Sequence, residues 1–232
     1  MKIFFNGLIK VAYTLVSACL WLAGIQSCSR CSSGDFTREE AALIQAFSSG
    51  ETVQGVPEGT MRVLTITDSS DNALLRRQSS NLSAKALLSE DFADLERLMV
   101  STVTHPSQDG VGIAGPQVGL NRRVVAVQRF DKAGEPFEVY PNVSIVWASD
   151  SLKYGPEGCL SVPDRRGDVA RSQEIIIEYA DMKLIRSSRE SRTAKIEQDA
   201  LPILRDTIKG FTAVIFQHEI DHLDGILYID RL

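Results

Sequence analysis

An α+β fold is predicted for most of this 232-residue chain, because its two periodicities occur in blocks. A stretch with helical spacing comes first (Phe92, Leu95, Leu98, Met99 and Val103), three runs rich in β-branched and aromatic residues follow, and a second helical stretch comes near the end. Helix, strands and helix in that order argue for α+β rather than βαβ units, which would interleave them. With 44% hydrophobic and 24% charged residues, the chain falls outside the collagen-like, low-complexity and multi-span membrane classes. A net charge of -5 supplies no excess of cations for phosphate, so no nucleic-acid partner is expected.

The first element is a lead. Lys2 and Lys10 flank its start, and Val11 to Ile25 then runs without a charge. That run falls short of the roughly 20 apolar residues of a spanning helix and fits the basic and apolar regions of an export signal. Ile25-Gln26-Ser27-Cys28 resembles a bacterial lipoprotein processing site, which makes Cys28 the candidate lipidated residue and residues 1–27 the signal peptide. Val16-Ser17-Ala18-Cys19 is the alternative site, but apolar residues continue after it. Cys28 and Cys31 form a Cys-x-x-Cys pair without the following helix that would lower a thiolate pKa. Residues 28–60 hold a short helix, Thr37 to Phe47, and a run of Ser, Gly and Pro that reads as a tether. The first 35 residues carry a net +2, so the remainder stands at -7.

The main domain, 61–232, opens on Arg62-Val63-Leu64-Thr65-Ile66, with strand-like alternation. Behind a cap at Ser89 the apolar spacing predicts a helix of about 15 residues. Strands are predicted at Val124–Phe130, Val139–Trp147 and Glu174–Tyr179, separated by Gly, Pro and Asp. Residues 181–195 place Lys183, Arg186, Arg189, Arg192 and Lys195 three apart, read as a solvated excursion. A final helix is predicted from Asp206 to Leu223, stopped at Gly225.

Chemistry concentrates in Gln217-His218-Glu219-Ile220-Asp221-His222. Histidines at i and i+4 share one helical face and can reach one cation, with Glu219 between them placed to act on a water there. Such a site needs a third protein ligand and an open position. The seven residues after Gly225 offer no His, Glu or Cys, and His105 precedes Pro106 in a polar loop. Cys159 lies among turn-forming residues, where an inert buried thiol is the default.

Glu157-Gly158-Cys159-Leu160-Ser161, His218-Glu219-Ile220-Asp221-His222 and, upstream, Gly110-Val111-Gly112-Ile113-Ala114-Gly115-Pro116-Gln117-Val118-Gly119 together resemble the three signature motifs of peptide deformylases, in the family's order. These metallohydrolases remove the formyl group from N-formylmethionyl peptides. The similarity runs from about Val63 to Leu232, and Gly115 stands where the family usually has Ala.

The resemblance implies antiparallel or mixed sheets packed around a central metal-binding helix, and a monomer. It implies one divalent metal ion on Cys159, His218 and His222, generally Fe(II), with nickel or zinc able to occupy the same ligands. Glu219 would be the general base, and Gln117 with the backbone N–H of Leu160 the oxyanion donors. Gly110, Val111 and Gly112 would receive the peptide as an added strand, and Val214 and Ile215 would wall the methionine pocket. Asp221 is expected to pair with a strand arginine, Arg171 being the candidate.

Three features depart from the family pattern: the 59 positions from Cys159 to His218, an end soon after the metal helix without the long C-terminal helix of some members, and the export lead. The lead places the protein outside the cytoplasm, with membrane contact only through a lipid on Cys28; without processing it would be cytoplasmic. A His-Glu-x-x-His peptidase and a catalytically silent surface protein that binds N-terminal peptides are the alternative functions.

Overall fold

The computed structural model of the chain describes residues 34–50, 53–190 and 201–232. The signal peptide, Cys19, Cys28, Cys31, Arg192 and Lys195 lie outside the described residues. The fold is α+β: six helices, α1 (Arg38–Ser48), α2 (Ser69–Leu75), α3 (Ala84–Leu87), α4 (Glu90–Thr104), α5 (Met182–Glu190) and α6 (Gly210–Leu223), and eight strands are described. Strands β1 (Gly112–Ala114), β2 (Val124–Gln128) and β3 (Phe137–Pro141) form one antiparallel sheet in that order. A second antiparallel sheet has the order β4 (Ser144–Ala148), β7 (Glu174–Ala180), β8 (Ile203–Lys209), and β5 (Leu152–Cys159) and β6 (Val162–Ser172) make a long hairpin. No helix among the described residues is long and apolar enough to cross a membrane.

Strand alternation divides the core. Val124 and Ala126 of β2 pack with Phe92, Leu95 and Met99 of α4, whereas Val125 and Val127 face Phe216, Ile220 and Leu223 of α6 and Ile175, Ile177 and Ile208 of the second sheet. Sheets on more than one side explain why α6 is buried nearly all round, including its polar residues Gln217, Glu219, Asp221 and His222. Helix α4 starts behind Ser89, whose hydroxyl accepts from Phe92 N, as the sequence predicts.

Four expectations are corrected. The Thr37–Phe47 helix is no part of a tether: α1 is capped by a reciprocal Thr37–Glu40 box, and Ile44 and Phe47 enter the same core as α4. Asp35 is buried, bonded to Ser83 and Lys85, so the folded body begins ahead of residue 61. Residues 62–66 form no strand, because their N–H groups go to partners outside any strand: Leu64 N to Gln117 O at 2.8 Å, Thr65 N to Asp71 Oδ2 at 3.2 Å and Ile66 N to Ser161 O at 2.9 Å.

Val139–Trp147 divides into β3 and β4 at Asn142, whose φ of 55° turns the chain while its side chain bonds both backbone groups of Leu82. Finally, Asp206–Lys209 is strand, paired with β7 along the whole of β8, and the last helix begins at Gly210 in the left-handed region. In the basic stretch, Met182–Glu190 is helical, with Ile185 buried and Arg186 paired to Glu96.

Candidate active site

The buried position of α6 sets two imidazoles against the end of β5. His218 and His222, one turn apart, have ring centroids 5.1 Å from each other. Cys159 closes the group: its Sγ lies 3.2 Å from His222 Nε2, and one donor atom from each of the three residues falls within a 4.8 Å span. Ser161 N donates to Cys159 Sγ at 3.4 Å and Gln117 Nε2 donates to it at 3.6 Å, so two N–H groups fix where the sulfur sits. Burial holds His222 well below the ordinary imidazole range, keeping it neutral. For His218, burial opposes the imidazolium, but Cys159, Glu157 and Glu219 push it up to about 10. A soft thiolate and two imidazoles on rigid elements fit a divalent cation of the zinc or iron type, which would displace that proton.

Behind the donors runs a buried chain of charges. Glu157 accepts from His218 Nδ1 at 2.8 Å and from Arg171 at 2.7 and 3.0 Å; Arg171 also reaches Asp221 at 2.6 Å. Arg231 then grips both oxygens of Asp221 at 2.5 Å. The Asp221–Arg171 pair is thus the one expected from sequence. Glu157 was missed, although it lies two residues before Cys159 on the same strand, the spacing that returns side chains to one face. Burial alone would raise the Glu157 pKa, but His218 and Arg171 hold it at about 2, below its ordinary 4.5.

A depressed folded-state pKa gives stability that is complete above 4.5 and lost as pH falls toward about 2. Thermal melts through that window should therefore show a steeper loss for the native chain than for Glu157→Gln. Parallel pH profiles would contradict this assignment.

Glu219 is 4% exposed, and its Oε2 has no hydrogen-bond partner among the described residues. Burial raises its carboxyl to about 7, a value suited to carrying a proton both ways near neutral pH. Gly112 also has a packing role: a Cβ there would lie 2.6 Å from Glu219 Oε1, so its missing side chain makes room for the carboxylate. Gly112→Ala should cut turnover at least about tenfold by displacing Glu219, with little change in metal content; unchanged turnover would refute that reading.

Gln117 is 1% exposed and held in one orientation. Its Oε1 accepts from Ala114 N at 2.8 Å, which turns Nε2 toward Ser161 Oγ at 3.2 Å and Cys159. Gly115 is a point of close packing, since a Cβ would sit 2.7 Å from Arg122 O and 2.8 Å from Leu120 O.

These groups face a cavity of about 910 Å³. Gly110, Val111 and Gly112 line it at the edge strand of the first sheet, and Leu160 lies beside Cys159. Val214 and Ile215 form part of the wall, as expected, together with Phe211, which the sequence reading did not single out. Phe211 is 57% exposed and packs against Phe130 with tilted rings, centroids 5.3 Å apart; its i−3 spacing from Val214 is the signal that would have found it. His105 stands apart from the cavity lining and bonds Ser107.

Comparison with known proteins agrees with this geometry. The polypeptide deformylase family model matches residues 63–232. A peptide deformylase of Leptospira biflexa is 34% identical over 168 residues, covering 69% of this chain and 83% of the relative. Peptide deformylase 2 of Vibrio cholerae is 34% identical over 172 residues, 74% of this chain and 88% of that protein. Among solved structures, the Met-Ala-Ser-bound class I type b peptide deformylase of Acinetobacter baumannii superposes with a TM-score of 0.60 at 31% identity, covering 75% of this chain and 98% of its own. The family match over residues 63–232 establishes that the chain belongs to the peptide deformylase family.

Proposed function

We propose that this deformylase, which removes the N-formyl group from peptides, acts on N-formylmethionyl chains with Glu219 as its proton carrier and Gln117 as its oxyanion donor. The observation that carries this reading is the convergence of Cys159, His218 and His222 beside a buried, unpartnered Glu219. A divalent cation bound there supplies the Lewis acidity that makes water a nucleophile near neutral pH. Glu219 takes a proton from the attacking water and returns it to the departing amine as the formyl C–N bond breaks, giving formate and a free amino terminus. Gln117 Nε2, with the backbone N–H of Leu160, donates to the formyl oxygen as it gains charge. The open edge of β1 at Val111 receives the peptide backbone. Phe211, Val214 and Ile215 supply the apolar wall for methionine. The Met-Ala-Ser bound to the Acinetobacter relative carries no formyl group and corresponds to the product such a reaction would release.

Fe(II) is the metal the family implies, and nickel and zinc suit the same donors. We further propose that residues 1–27 direct export, with a lipid on Cys28 as the sole membrane contact, and that the body is monomeric. Outside the cytoplasm Fe(II) and the Cys159 thiolate are open to oxidation, which favours zinc. Mass spectrometry of the mature amino terminus tests the address: a lipid-modified Cys28 supports it and an intact Met1 contradicts it.

Formyl-Met-Ala-Ser separates the catalytic readings. Release of formate with the tripeptide otherwise intact is expected, whereas cleavage inside the tripeptide would indicate a peptidase. Binding without either product would indicate a silent receptor.

A further inference from the structure

The family body starts at residue 63, yet the chain folds onto it from Asp35. What that added segment touches is specific. Arg122, 5% exposed, is held from α1 through two bonds to Glu40: Nε to Oε1 at 2.8 Å and Nη2 to Oε2 at 2.7 Å. It also donates to Asp35 O at 2.5 Å and to Ser80 Oγ at 3.0 Å. One turn further along α1, Leu43 lies over Gly119, its Cδ2 3.3 Å from where a Cβ would be. Ile44 and Phe47 share a core cluster with Val118 and Leu120. The added segment therefore grips both ends of the turn 118–122.

That turn is the return limb of the motif carrying Gln117. Leu120 N bonds Gly115 O at 2.9 Å, Gly119 N bonds Pro116 O at 3.1 Å, and the carbonyls of Leu120 and Arg122 close on Gly115. A shift at 119–122 has no slack in which to dissipate before it reaches Gln117, since close-packed contacts transmit displacement. Gln117 Nε2 must in turn meet the formyl oxygen within a few tenths of an ångström, and a misplacement of about 1 Å can cost roughly 10² in rate.

We propose that Glu40 and Leu43, in the helix ahead of the family body, are positioning residues for deformylation, holding the 115–122 turn and through it Gln117 against the metal pocket. This rests on the role of Gln117 given above. The positioning acts on kcat rather than on peptide affinity, because neither residue lines the cavity.

The test is a double-mutant cycle in the full chain, run well below every variant's melting temperature and paired with hydrogen exchange. Glu40→Ala should lower kcat for formyl-Met-Ala-Ser about tenfold, with KM held within about twofold, but cost less than about twofold when Gln117 is already Ala. Leu43→Ala, which leaves the Arg122 ion pair intact, should follow the same pattern with a smaller loss, and Glu40→Gln should recover part of the rate. Exchange at the Gly119 and Leu120 amides should rise in Glu40→Ala while β7 stays protected, a readout independent of metal and catalysis. Equal losses in both Gln117 backgrounds, or exchange that rises uniformly across the body, would overturn the proposal by reducing α1 to a source of stability. Raised exchange at 119–120 in Glu40→Ala, with no formate released by the native chain, would instead place the failure in the deformylation reading, and the proposal would fall with it.

Discussion

Glu219→Ala is expected to lower kcat for formate release by about 10²–10⁴ while leaving the bound metal in place. The size follows from the position of the carboxyl. It is buried, raised to about 7 and has no hydrogen-bond partner at Oε2 among the described residues, so its proton is free to pass to and from the pocket. Gly112 provides the space it occupies. Metal content should persist because Cys159, His218 and His222 are untouched. Turnover measured beside metal analysis of the same sample separates the outcomes. A loss below about tenfold would remove Glu219 from the proton path, and a parallel loss of metal would make it a structural residue.

The largest effect on stability is expected from Arg171→Ala, about 3–5 kcal/mol in denaturant melts. Arg171 is 3% exposed and is the shared partner of Glu157 and Asp221, which are themselves 7% and 8% exposed. Removing it leaves two buried carboxylates facing each other with Arg231 bonded only to Asp221. Glu157 would lose its counter-charge and its hold on His218, so metal affinity should fall together with stability. A cost under about 1 kcal/mol would mean that water enters and solvates the pair.

Much of this architecture is legible in the residues because local signals and tertiary packing agree there. Ser89 caps α4 and the apolar spacing behind it matches the buried face, so sequence and structure coincide. The β5–β6 hairpin was not legible. Gly155, Pro156 and Gly158 interrupt β5, and its long pairing with β6 is a tertiary fact that strand propensity does not encode. Asp206–Lys209 reads equally as helix or strand, and register with β7 decides it. Helix α1 was visible, but the Ser, Gly and Pro residues after it suggested a tether; the contacts that tie it to the body, the buried Arg122–Glu40 pair and the packing of Ile44 and Phe47, join residues distant in sequence.

At the site, the two histidines could be read from helical spacing alone. Cys159 required the family motifs, since one Cys among turn residues carries no spacing signal of its own. The neighbours that tune the donors were the least legible. Glu157 reaches His218 across 61 positions and Arg171 reaches Asp221 across 50, so each pairing is created by folding. Gly112 shows a mixed case: it was recognised as a necessary glycine, but its close approach to the Glu219 carboxylate is a tertiary contact that spacing does not reveal.

The most direct test of the account measures bound metal and formate release on one sample of the full chain, before chelation, after chelation and after anaerobic return of Fe(II). One divalent cation per chain should be found, and release from formyl-Met-Ala-Ser should vanish and return with it, whereas Cys159→Ala should regain neither. Release that survives removal of the metal would contradict the account.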